Sequence, residues 1–304
     1  MQIREPACEC ATSAAAADYQ ADVVFSKTIM DQLGESYRKI RNTCRYLLSN
    51  LYDFQPSRDI LPDDKLRDLD RLTLEFLRDR DRQVFDAYRT YAFHEVVRRV
   101  VDYVVTVSAE YLDPVKDVLY CDAPQSASRR SVQTVFCAMV RTIATWIAPI
   151  LCFSAQDVAD ELQRQTGEPF DVHGQIRKEP TPMADAVRRW QEQVRPLREQ
   201  ILAKLEAFRA AGHKSLEAKV TVRPAAVERG IWQRERENLL ELTVVSQLQL
   251  SIDDAASATE VTVSEASGPE CPRCWQRTGS ASGYAAEPNL CTRCAGVVSL
   301  LEPR

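Results

Sequence analysis

The sequence CPRCWQRTGSASGYAAEPNLCTRC, residues 271–294, constrains this chain more than any other stretch. It holds two matched Cys-x-x-Cys pairs, Cys271/Cys274 and Cys291/Cys294, separated by sixteen residues. Two residues between cysteines let both thiolates of a knuckle reach one ion at about 2.3 Å, and two knuckles complete a tetrahedron. Four sulfur ligands leave no open position, so such a site is structural rather than catalytic. Zinc is the natural ion for it, one per chain. Iron accepts the same ligands, and the spacing does not separate the two. The surrounding segment of about 35 residues is too poor in apolar side chains to fold on its own core, and a metal staple supplies what it lacks.

The rest of the chain has the composition of a folded globular protein, with 45% hydrophobic and 27% charged residues among 304. Nine glycines and no glycine-rich phosphate loop argue against a nucleotide-binding domain. No apolar run of membrane-spanning length occurs and the N-terminus has no secretory h-region, so a cytoplasmic protein without membrane contact is expected. In that compartment ten cysteines read as buried thiols or metal ligands rather than disulfides. Cys44, Cys121, Cys137 and Cys152 are isolated and are expected to be buried and inert.

Hydrophobic spacing predicts helices over most of residues 18–212. Ile29, Leu33, Tyr37, Ile40, Cys44, Leu47, Leu48 and Leu51 form one stripe. Helices are also expected over 66–90 and 91–111, the latter with Phe93, Val97, Val100, Val101 and Val104 inward. VVRRVVDYVVTV within it has strand propensity, but its length favours a helix. Val132, Val135, Phe136, Met139, Ile143, Trp146 and Ile147 mark a fourth helix that Pro149 stops or kinks. Ser154 is expected to cap a short helix through Gln165. Thr181 and Pro182 are expected to open a helix carrying Val187, Trp190, Val194, Leu197, Ile201, Leu205 and Phe208. Beyond Gly212, SLEAKVTVRP alternates at its end like a strand, ERGIWQRERENLLELTVVSQLQLS reads as a helix followed by a second strand, and the polar stretch 251–270 has room for one more. The expected organisation is an unpatterned tail (1–17), a helical domain (18–212), a small α/β junction (213–255), and a linker with the cysteine ribbon (256–304).

Net charge is −5, yet a local basic face works on an acidic protein because screening confines exposed charges to about 10 Å. SYRKIRNTCRY carries Arg38, Lys39, Arg41 and Arg45 with no acid, and the three arginines fall within about 60° on a helix. Arg129 and Arg130 open the fourth helix, where positive charge opposes the dipole. Arg273, Trp275, Arg277 and Arg293 sit on or beside the knuckles against one acid, Glu287. An aromatic ring among arginines suits stacking on bases and pairing with phosphates. The alternatives are a solvated or ion-paired face for the arginines, and a ring packed on its own domain for Trp275. Three scattered histidines form no nucleophile–base pair.

DYQADVVFSKTIMDQLGESYRKIRNTCRYLLSNLYDF resembles the segment that follows the catalytic domain in bacterial isoleucyl-tRNA synthetases. SAEYLDPVKDVLYC, RRSVQTVFCAMVRTIATWIAPILCFSAQDV, KSLEAKVTV, LLELTVVSQLQL and the terminal CPRCW…LCTRC continue the likeness in order over residues 18–304. The resemblance implies a class I anticodon-binding helical bundle, mainly α, followed by a small α/β junction and a zinc ribbon. It implies tRNA(Ile) as partner and no DNA. The candidate contacts are Arg38, Lys39, Arg41, Arg45, Arg129, Arg130, Arg273, Trp275 and Arg277. The family's HIGH and KMSKS signatures do not occur in this sequence, and neither does its editing domain. ATP would therefore concern only the catalytic domain, and the chain alone is expected to be inactive. A truncated or frame-shifted product, half of a split enzyme working with a separate catalytic half, and a stand-alone interaction or regulatory module all fit.

Overall fold

The computed structural model describes residues 26–174, 185–278 and 288–301. The expectations for residues 1–17, for Thr181 and Pro182, and for Glu287 lie outside these. Two compact units are present, one of residues up to Ala109 with 130–184, the other Glu110–Arg129 with 185 onward. Among the described residues no helix is long and apolar enough to cross a membrane.

The first unit is helical. Its elements are α1 (Lys27–Ser49), α2 (Asp68–Arg89), α3 (Phe93–Val107), the greater part of α5 (Ala127–Ile147), and α6 (Cys152–Thr166). Ser26 caps α1, its side chain accepting from the Ile29 N–H at 3.2 Å. The predicted α5 stripe from Val132 to Ile147 is buried throughout, with Trp146 fully enclosed. Trp146 donates its Nε1–H to Asp81 at 2.6 Å and meets Tyr103 edge-on at 5.2 Å, so the polar end of the largest side chain is satisfied.

Three expectations are corrected here. The inward set of α3 is Val96, Val100, Tyr103, Val104 and Val107, whereas Phe93 is exposed and Val97 and Val101 are half-buried. Valines on several faces left that phase undetermined. α6 begins at Cys152 with Leu151 at its cap. Ser154 lies inside the helix, and its hydroxyl meets the Tyr37 hydroxyl at 3.1 Å instead of a backbone N–H. That earlier start leaves Cys152 exposed, while Cys44, Cys121 and Cys137 are buried. Burial pushes the Cys44 thiol up to about 12, which makes it unreactive.

The second unit contains α4 (Lys116–Cys121), α7 (Arg195–Ala210), β1 (Ala218–Arg223), α8 (Arg229–Thr243), β2 (Gln247–Leu250), β3 (Glu260–Glu265) and α9 (Thr292–Leu301). A short helix, Asp185–Arg189, runs into α7 through a wide π turn at Trp190–Val194. Pro196 explains the widening, since it has no N–H for the regular ladder. The sheet order is β2-β1-β3, β1 parallel to β2 and antiparallel to β3. Val220 stands opposite Leu248 on one side and Val263 on the other. Ala218, Val220 and Val222 alternate inward, and Trp232 and Leu239 of α8 are buried with Ile201 and Leu205 of α7.

Candidate metal centre and nucleic-acid interface

The first knuckle is a tight hairpin. The Cys271 N–H donates to the Gln276 carbonyl at 3.0 Å, the Trp275 N–H donates to the Cys271 carbonyl at 2.8 Å, and Glu270 pairs with Arg277 as an antiparallel bridge. The second knuckle opens α9, with Cys294 on its first turn. All four sulfurs are buried and lie within 4.8 Å of one another, Cys274 and Cys291 at 3.9 Å. Sulfurs about 2.3 Å from a central tetrahedral ion stand about 3.8 Å apart. The four cysteines could therefore hold a metal ion.

The electrostatics agree. Burial pushes the Cys271 thiol up, but backbone N–H groups of Cys291, Cys274 and Arg273 outweigh it and hold it at about 6. Burial raises Cys274 and Cys294, and neighbouring thiol groups add to it. Cys271 is prepared as a thiolate, whereas Cys274 and Cys294 need a cation to follow. The Cys291 N–H donates to Cys271 Sγ at 3.4 Å and the Cys294 N–H to Cys291 Sγ at 3.5 Å, the kind of support that orients metal ligands.

The arginines divide sharply. On α1, Lys39 and Arg45 are exposed and have no partner among the described residues. Arg38 is exposed and pairs with Glu35 at 2.6 Å. Arg41 is half-buried. Arg129 and Arg130, by contrast, are only 5% and 4% exposed. Arg129 donates to the carbonyls of Leu119 and Pro124, both at 3.1 Å, so it closes the end of α4. Arg130 donates to the Asp53 carbonyl at 3.0 Å and Gln133 Oε1 at 2.7 Å, and faces Asp59 at 3.6 Å. Both guanidiniums are turned inward on these acceptors, and the Nε atom of Arg130 is buried without a hydrogen-bond partner among the described residues. Arg129 and Arg130, expected as tRNA contacts, are thus placed inside the protein with acceptors of their own.

At the knuckle, Trp275 is 63% exposed. Arg277 is half-buried, its N–H donating to Ser246 Oγ at 2.7 Å. Arg293 grips Asp117 with both Nη atoms, at 2.5 and 2.7 Å. Arg273 binds the end of α4. Trp275 borders an open groove of about 690 Å3 together with Lys116, Tyr120, Glu241, Arg273 and Arg293. Tyr120 is 57% exposed and escaped the sequence reading because it lies far from the cysteines in the chain. Its sequence neighbour Cys121 is buried in the cysteine cluster, a proximity visible only in three dimensions.

Residues 70–223 match the family described as the anticodon-binding domain of tRNA ligase. The isoleucine–tRNA ligase of Syntrophotalea carbinolica is 36% identical over 300 residues, covering 94% of this chain and 32% of the relative. That of Geobacillus thermodenitrificans is 37% identical over 301 residues, with the same coverage. That of Symbiobacterium thermophilum is 35% identical over 307 residues, covering 93% and 32%. The chain thus spans about a third of the length of the relatives it matches. With the family match over half of its length, the chain belongs to the anticodon-binding domain family of tRNA ligases.

Proposed function

We propose that this chain binds the anticodon stem and loop of tRNA(Ile), holding one zinc ion on Cys271, Cys274, Cys291 and Cys294. The zinc is structural: it fastens two knuckles and keeps Trp275 presented. The observation that carries the reading is the state of Trp275. Its φ is +59°, a left-handed conformation that costs a bulky residue about 1 kcal/mol or more. Its ring is nevertheless largely exposed, so burial of the side chain does not offset that strain. A rigid, exposed indole on a metal knuckle is suited to stacking on an unpaired base. Lys39, Arg41 and Arg45 supply positive charge for the phosphate backbone on α1. Ligation of isoleucine would in addition need a HIGH- and KMSKS-bearing catalytic portion.

Binding of a tRNA(Ile) transcript, followed by fluorescence across a salt series, tests this. Affinity should fall steeply as salt rises. Trp275→Gly relieves the backbone and should leave metal content and melting temperature at or above wild type, while weakening tRNA binding about tenfold, the worth of one stacked base. Undiminished affinity in Trp275→Gly, or binding indifferent to salt, refutes the proposal.

A further inference from the structure

Arg273 stands between the two cysteines of the first knuckle, and its side chain turns back on the cluster. Nη1 donates to the Cys121 carbonyl and to Cys294 Sγ, the latter at 3.6 Å. Nη2 donates to the Tyr120 carbonyl at 3.4 Å. Cys121 replies by donating its S–H to the Arg273 carbonyl at 3.6 Å. Tyr120 and Cys121 end α4, where carbonyls lack partners within the helix. The second knuckle reaches the same short helix by a different route, through Arg293 and Asp117. Both knuckles are thus tied to α4 by one arginine each, but among the described residues it is Arg273, not Arg293, that hydrogen-bonds a ligand sulfur.

We propose that Arg273 is a positioning residue that couples the charge on the cysteine cluster to the docking of the first knuckle on α4. The inference rests on the metal reading above and goes beyond it. Four thiolates around a divalent ion retain two negative charges. A guanidinium N–H on Cys294 disperses part of that charge, lowers the electron donation of that sulfur and protects it from attack. The same guanidinium holds the carbonyls of Tyr120 and Cys121. A charged sulfur strengthens the bond at one end of the fork and so fixes the knuckle against the helix. Trp275, two residues along the chain, is carried with it. Arg293 docks the second knuckle without this link, because its fork is taken by a carboxylate.

The experiment compares the full chain with Arg273→Gln, Arg273→Lys and Arg293→Gln, each loaded with Co(II) and separately with Zn(II). In Arg273→Gln the sulfur-to-cobalt charge-transfer band should move to lower energy, since Cys294 becomes the stronger donor. Zinc transfer to a chromogenic chelator should accelerate about tenfold, as second-sphere losses do. Arg273→Lys should restore part of both effects, because the ammonium keeps charge and a donor but not the fork. Arg293→Gln should leave the band in place. An unshifted band and unchanged release in Arg273→Gln, with the wild type binding cobalt normally, overturn the role of Arg273 alone. A wild-type chain that binds neither ion overturns the metal reading, and this inference with it.

Discussion

The helical unit and the cysteine module are stabilised by different means. In the first, Val132, Phe136, Met139, Ile143 and Trp146 are completely enclosed, and stability follows from apolar area removed from water. In the second, the buried cluster is Cys271, Cys274, Cys291 and Cys294 with little besides Leu290, Ala295 and Cys121. Area of that size cannot balance the entropy of ordering two knuckles. The comparison teaches that, with the proposed ion bound, a single atom carries weight in the module that is spread over many side chains in the bundle.

The strongest way to break the comparison is to remove one sulfur. Cys274→Ser should release the metal and unfold the knuckles, a loss on the order of 10 kcal/mol from that segment. Metal analysis and thermal melting would check it, the helical transition staying where it was. Phe136→Ala makes the reverse test. A cavity at that fully buried site should cost about 3–5 kcal/mol, lowering the denaturation midpoint of the helical unit with metal content unchanged. If both variants lose metal and helix together, the two regions are not stabilised independently.

A finer test concerns buried charge within the bundle. Arg58 donates to Asp59 at 2.8 Å and holds its carboxyl down at about 2, with burial opposing, the Gln55 N–H assisting and the Arg130 charge adding to it. The folded chain binds that proton more weakly than the unfolded one, so the contribution is complete above about pH 4 and is lost as pH falls toward 2. Asp59→Asn should flatten the acid limb of the stability profile by about 1 kcal/mol, discounted because Arg58 is largely exposed. Acid unfolding curves of the two proteins would show it. An unchanged acid limb would mean that this ion pair contributes nothing to folding.

How much was legible beforehand follows from the same physics. The stripe of α5 reads correctly because large apolar residues recur at helical spacing and nearly every one is buried. The cysteine cluster reads correctly because ligand spacing is a local property of the chain. α3 was misphased because its valines occupy more than one face. The burial of Arg129 and Arg130 was not legible because charge is ordinarily exposed, and the carbonyls that accept from them belong to Leu119, Pro124 and Asp53, whose proximity no periodicity encodes. The sulfur-facing direction of Arg273 is hidden for the same reason, since Cys121 lies about 150 residues away in sequence.

The smallest expected effect separates the two kinds of arginine. Arg45 is exposed on α1 without a partner among the described residues, so Arg45→Ala should leave the melting temperature within experimental scatter. It should weaken tRNA binding by only about 0.5–1 kcal/mol and reduce the salt dependence by about one counterion, the signature of a lost phosphate contact. Arg130→Ala should do the opposite. It removes one cation facing Asp59 and one donor to the Asp53 carbonyl and lowers stability, but whatever folded protein remains should show the wild-type salt slope. Electrophoretic titration of tRNA at several salt concentrations measures both. A reduced slope for Arg130→Ala and an unchanged one for Arg45→Ala would place the phosphate-facing surface at the start of α5 and remove it from α1.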